Sequence, residues 1–140
     1  MKKVLFMLVA VFAAFTMTGC SDDDTPAAST AKATTLDVVI NEDGSFNFKA
    51  EFEFDGGTFA YGNVYLSTSE NITVKDFSAG EIDLQKGKTS YSKTVKNNNA
   101  LIGQLFKSGT KVYYAACAKV YQHSGETTPV FGQVKSFIVP

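Results

Sequence analysis

The sequence predicts an all-β domain of six to eight short antiparallel strands, closed as a sandwich or a barrel, on three observations. Strand-favouring residues are plentiful: 12 Phe and 6 Tyr stand among many Val and Thr, whereas Trp is absent and Pro numbers 3. Residues 45–54 alternate apolar and polar side chains without a break. Turn residues then punctuate the chain at the short spacing of small β folds. With 140 residues and 44% hydrophobic content, one core is expected.

The N-terminal residues precede that domain. Met1-Lys2-Lys3 supplies a positive start, and residues 4–15 form an apolar run too short to span a bilayer comfortably, so the segment reads as a signal and not as an anchor. It ends in Met17-Thr18-Gly19-Cys20, which resembles the lipobox of bacterial lipoproteins, with Met17 where Leu is commoner. The resemblance implies a signal peptide over 1–19, cleavage before Cys20, a diacylglyceryl group on the Cys20 thiol and a further acyl chain such as palmitate on its freed amine. One buried chain holds a protein only marginally and two or more hold it well, because each methylene contributes about 0.8 kcal/mol.

Ser21-Asp22-Asp23-Asp24 follows, then a run of Pro, Ala, Ser and Thr with a single Lys. That composition buries too little to order itself, so residues 20–34 are expected to be a lipidated, flexible tether. The acidic triplet reads as a solvated linker start, a weak cation site or a sorting signal. Ser and consecutive Asp after the cysteine look like the export signal of Bacteroidota lipoproteins. That implies lipid anchorage in the outer membrane with the domain on the cell surface; a periplasm-facing domain is the alternative.

Residues 35–140 carry the strands. A short strand is expected over 36–40, and Asn41-Glu42-Asp43-Gly44 is a hairpin signal leading into the alternating 45–54. Gly56-Gly57 breaks the pattern and 59–67 resumes it with Tyr61, Val64, Tyr65 and Leu66. Shorter strands are expected over 72–77, 81–84 and 89–95. Asn97 to Asn99 can start a helical turn, and Leu101, Ile102, Leu105 and Phe106 fall at helix-like spacing, so one short helix is expected near 99–106. Two long strands, 111–121 and 130–139, close the chain.

A more specific resemblance lies in three of these segments. Residues 61–71 (Tyr-Gly-Asn-Val-Tyr-Leu-Ser-Thr-Ser-Glu-Asn) are similar to the third strand of fibronectin type III-like modules of Bacteroidota surface proteins. Residues 112–118 (Val-Tyr-Tyr-Ala-Ala-Cys-Ala) resemble their penultimate strand, and 131–137 (Phe-Gly-Gln-Val-Lys-Ser-Phe) their last. The matches fall in family order. The usual Leu-x-Pro turn before the penultimate strand is replaced by residues 105–109, and residues 70–105 match poorly. The resemblance implies an immunoglobulin or fibronectin type III-like antiparallel β-sandwich of about seven strands, and no particular ligand, since that sandwich hosts many unrelated functions.

Charge and chemistry narrow the function classes. All 13 basic residues are lysine, so the planar fork that grips phosphates and guanine edges is missing. Loss of Lys2 and Lys3 with the signal leaves 11 lysines against 14 carboxylates, and nucleic acid is excluded as an expected partner. His123 is the single histidine, adjacent to Ser124, with no zinc-type spacing and no nucleophile elbow. Glu51 and Glu53 share a strand face at a spacing that suits paired glycosidase carboxylates, yet Lys49 beside them favours a solvated stripe. No enzymatic activity, catalytic residue, cofactor or metal is expected.

Cys117 lies on one strand face with Tyr113, Ala115, Lys119 and Tyr121, and Lys119 marks that face as the wetter one. With Cys20 lipidated, Cys117 has no intramolecular partner and is a shielded thiol or a dimer bridge. Asn71-Ile72-Thr73 fits a glycosylation triplet that a bacterial lipoprotein does not use, and reads as a turn into a strand. Tyr113 and Tyr121, with Tyr65 or Tyr91 as neighbours, are a candidate binding surface for a glycan or an envelope protein, set against simple packing across the sheet. Pro140 follows directly on the last strand, so no second domain is expected. The sequence therefore predicts a lipid-anchored, non-catalytic envelope module that binds or assists a glycan or envelope protein. The alternative is a structural subunit of an envelope or fimbria-like assembly.

Overall fold

The computed structural model describes residues 28–96, 103 and 105–140. The expected signal segment, Cys20 and most of the tether lie outside the described residues, as does most of the helix expected near 99–106. Ten β segments follow in order: β1 (Ala31–Thr35), β2 (Val39–Ile40), β3 (Phe46–Phe54), β4 (Phe59–Ser67), β5 (Phe77–Ser78), β6 (Ile82–Asp83), β7 (Gly87–Val95), β8 (Lys111–Tyr121), β9 (Thr127–Phe131) and β10 (Lys135–Ile138).

These ten form seven ribbons because three ribbons are interrupted. β1 and β2 occupy successive stretches of one edge of β3, and β7 pairs its other edge. β5 and β6 share one edge of β4, β8 pairs the opposite edge, and β9 and β10 share the far edge of β8. All pairings are antiparallel. A three-ribbon sheet thus faces a four-ribbon sheet, the seven-stranded sandwich the sequence predicts.

Period-two alternation sets which faces meet. In β3, Phe46, Phe48, Ala50, Phe52 and Phe54 are buried while Lys49, Glu51 and Glu53 are exposed. Opposite them, β4 turns in Val64 and Leu66, and β8 turns in Val112, Tyr114, Ala116 and Val120. Phe106 stacks on Phe46 with ring centroids 4.5 Å apart, and Tyr114 meets Phe48 edge-on at 5.4 Å. Such pairs contribute about 0.5–1.5 kcal/mol beyond the area they bury. Gly62 of β4 sits beneath the Phe52 ring, where a Cβ would lie 2.7 Å from Cε2.

Two hydrogen bonds tie the sheets together near the break between β1 and β2. The Ala116 N–H donates to the buried Thr35 hydroxyl at 2.9 Å, and the Val38 N–H donates to the Tyr114 hydroxyl at 3.0 Å. These contacts explain departures from the expected strands. Residues 36–40 hold only a two-residue pairing, because Val38 leaves β3 for Tyr114. The strand expected over 130–139 breaks at Gly132, whose N–H donates to the Ala116 carbonyl at 2.8 Å and whose missing side chain leaves room for the Ala33 carbonyl. Residues 72–77 contain a turn in which the Thr73 N–H donates to the Asp76 carboxylate and the Asp76 N–H to the Thr73 carbonyl. β1 itself occupies residues assigned to the tether, since Ala31–Thr35 pairs with residues 50–54 of β3.

Candidate functional site

One end of the sandwich gathers the start of the described chain, the β3–β4 turn and the β8–β9 turn. Ser29 and Thr30 are held there by Asp55. The Ser29 hydroxyl and the Thr30 N–H both donate to the Asp55 carboxylate, the latter at 2.8 Å, and the Gly57 N–H adds a third bond at 2.9 Å. The bond from Ser29, reinforced by those from Gly57 and Thr30, lowers the Asp55 pKa to about 2. Gln122 completes the fastening: its side-chain oxygen accepts the Ser29 N–H at 2.9 Å and its amide donates to the Ser29 carbonyl at 3.0 Å. Every polar group of this clasp is local to three loops, so it fixes where the preceding chain leaves the domain.

Beside the clasp the four-ribbon sheet presents aromatic side chains. Phe59 opens β4 with 75% of its surface exposed, and in register it faces Tyr121, the last residue of β8. Tyr121 is exposed and meets Tyr61 edge-on at 5.5 Å. Phe59 and Tyr61 border a cleft of about 450 Å³ whose other walls include Thr58, Asp83, Gln85 and Lys86. The cleft thus combines aromatic faces with a carboxylate, an amide and an ammonium, groups that suit recognition of a polar, hydroxyl-bearing surface.

Further along the same outer face the sheet is covered. Tyr65, Ala115 and Cys117 are buried, Asn63 accepts hydrogen bonds from the Val64 N–H and the Ser78 hydroxyl at 2.8 Å each, and Phe131 lies against Tyr65 with centroids 6.3 Å apart. Lys119 ion-pairs with Glu81 at 3.1 Å. The face expected to be the wetter one is therefore a second, smaller layer of packed side chains. Cys117 is fully buried, and burial pushes its thiol pKa up to about 11, the character of a shielded and unreactive thiol.

The two tyrosines singled out in the sequence share this face but not a site. Eight steps along the strand separate Tyr113 from Tyr121, roughly 26 Å at the usual rise per residue. Tyr113 is half-buried near the far end, with the Lys111 ammonium 5.3 Å from its ring centroid. Tyr91 belongs to neither, because it lies on β7 inside the sandwich against Phe52. Tyr121 gains Phe59 and Tyr61 as neighbours instead. The sequence marks these two as strand residues only; their clustering depends on the β4–β8 register.

The remaining candidates are dispersed. His123 and Ser124 are exposed in the β8–β9 turn, and the Ser124 hydroxyl accepts the Glu126 N–H at 3.4 Å. Glu51 and Glu53 stand on the outer face of the three-ribbon sheet, where Glu53 has Lys32 and Lys88 as its cross-strand neighbours. Among the described residues, no group of three or more His, Cys, Asp or Glu side chains is placed to hold a metal ion, and no helix is long and apolar enough to cross a membrane.

No protein-family model matches the chain, and no curated protein matches it in sequence. Among solved structures it is similar to part of a β-glucosidase from Kluyveromyces marxianus in complex with glucose, with 16% identity and a TM-score of 0.49 over 79% of this chain and 14% of that one. It is also similar to part of β-glucosidase 3B from Thermotoga neapolitana, with 14% identity and a TM-score of 0.34 over 79% of this chain and 17% of that one. A putative late embryogenesis abundant protein solved in solution gives 17% identity and a TM-score of 0.42 over 99% of this chain and 88% of that one. The chain spans a small fraction of either glucosidase, and no activity is carried over from these likenesses.

Proposed function

We propose that this chain is a lipid-anchored component of a bacterial cell envelope, held in the outer membrane by acyl groups on Cys20 and displayed on the cell surface. It acts as a non-catalytic module that binds or assists a glycan or another envelope protein. The observation that carries the proposal is the Met17-Thr18-Gly19-Cys20 motif, closely followed by an acidic Ser-Asp-Asp-Asp run and by a domain whose first described residues are clasped at one end. A tether entering at one end leaves the opposite end of the four-ribbon sheet, where Tyr113 is half-buried beside the Lys111 ammonium, accessible to a partner.

Fractionation tests this proposal. Wild-type protein is expected in the outer-membrane fraction and Cys20→Ser in the soluble fraction, with the wild type digested by protease added to intact cells. Wild-type protein in the soluble fraction would refute the anchor, and protection from protease would assign the periplasmic face.

One observation favours a second role, as a structural subunit of an envelope or fimbria-like assembly. Among the described residues the nine-residue β7 pairs only with β3, which leaves its other edge available for strand addition. Co-purification with neighbouring envelope proteins in a fixed ratio would support it.

A further inference from the structure

We propose that the clasped end of the sandwich is seated on the bilayer, with the Phe59 ring in the lipid interface and Tyr121 and Tyr61 at the headgroup level. The proposal rests on the lipid anchor at Cys20 and adds an orientation and a contact surface to it. Nine peptide steps separate Cys20 from Ser29, a reach of at most about 32 Å. The eleven-residue β8, which runs the length of the sandwich, spans ten steps, about 33 Å at the usual rise per residue. Even fully stretched the tether only matches the length of β8, so it has no slack to bring the opposite end down to the membrane while Ser29 stays fastened to Asp55 and Gln122. The clasped end or a flank must face the lipid.

Phe59 stands at that end. It follows Gly57 by two residues, and a Cβ on Gly57 would lie 3.0 Å from the Ser29 hydroxyl. A phenyl ring with 75% of its surface in water, beside an exposed Tyr121 stacked edge-on to Tyr61, has the chemistry of side chains found at membrane interfaces: apolar bodies with hydroxyl tips that remain hydrated. Exposed apolar side chains occur at the opposite end too, Ile138 among them at 59% exposure, but the tether keeps them away from the bilayer. A single aromatic contact is weak between free molecules. It becomes effective here because the anchor makes the encounter intramolecular, at an effective concentration set by a short linker.

The absence of tryptophan supplies a clean test. Full-length lipidated protein carrying Phe59→Trp or Ile138→Trp is reconstituted into phosphatidylcholine and phosphatidylglycerol vesicles whose acyl chains are brominated or not. Phe59→Trp emission is expected to shift to the blue and to be quenched roughly two-fold by brominated lipid, as for an indole at the interface. Ile138→Trp is expected to be unaffected. Equal responses from the two variants, or no quenching at Phe59→Trp while the protein floats with the vesicles, would overturn the seating and leave the anchor standing. Failure of both variants to float with vesicles would overturn the anchor and the seating together. A Phe59→Trp signal that answers to soluble oligosaccharide and not to brominated lipid would assign the cleft to a sugar and overturn the membrane contact.

Discussion

Replacing Thr35 by Val removes one hydroxyl and keeps the shape, and the structure gives that hydroxyl a single clear task. Thr35 is 2% exposed and accepts the N–H of Ala116, which is wholly buried in β8, at 2.9 Å. The edge of β8 at this point lies between β9 and β10, so the ladder offers no replacement acceptor among the described contacts. A methyl group in place of the oxygen leaves a buried donor unpaired, a loss of about 1–3 kcal/mol. For a domain of this size that corresponds to a melting temperature lower by roughly 4–12 °C. In urea the midpoint should fall with the slope unchanged, since the surface exposed on unfolding is the same. Thr34→Val, at an exposed position on the same strand, serves as the control and should stay within about 0.5 kcal/mol of wild type. A Thr35→Val variant as stable as that control would refute the claim that this bond joins the two sheets.

Gly62→Ala should destabilise by about 1–3 kcal/mol, because the new methyl lies 2.7 Å from the Phe52 ring, and Phe52→Leu should recover part of the loss if the clash is the cause; denaturant titration of both variants checks this. Cys117 should resist iodoacetamide in the native state and react on unfolding. Burial raises its thiol pKa from 9.0 to about 11, so stability is full below pH 9 and falls by about 2 kcal/mol by pH 11, a slope that Cys117→Ala should reduce in unfolding curves taken across that range. Asp55 is lowered from 3.8 to about 2, so its contribution is present above pH 4 and is lost as the pH falls toward 2. Protection of the Ser29 and Thr30 amides, taken as exchange relative to the intrinsic rate at each pH, should therefore fall over that interval, and Asp55→Ala should show low protection at neutral pH.

Much of the sandwich was legible because its central strands obey one rule. The phenylalanine alternation of β3 and the apolar alternation of β8 each separate a buried face from an outer one, and the β2–β3 turn is written in Asn41 to Gly44. β1 was hidden in a run of Ala, Lys and Thr that reads as linker. Its order comes from Thr35 and from pairing with β3, both long-range. The split between β9 and β10 depends on the approach of the Ala33 carbonyl to Gly132, which no local pattern records. Lys119 pointed to a wet face, but its ion pair with Glu81 lies over a sheet already covered by Tyr65 and Phe131. Tyr113 and Tyr121 are visible as aromatics on one face of a strand; that eight steps of rigid strand keep them apart, and that Phe59 and Tyr61 join Tyr121, follows from register. The lipobox-like motif is local and chemical, and needs no fold to be recognised.

Intact mass spectrometry of the N-terminal peptide from membrane-purified protein tests the central claim most directly. A peptide beginning at Cys20 and carrying a diacylglyceryl group with a further acyl chain is the predicted result. A peptide that begins elsewhere, or one that begins at Cys20 with a free thiol, would contradict it.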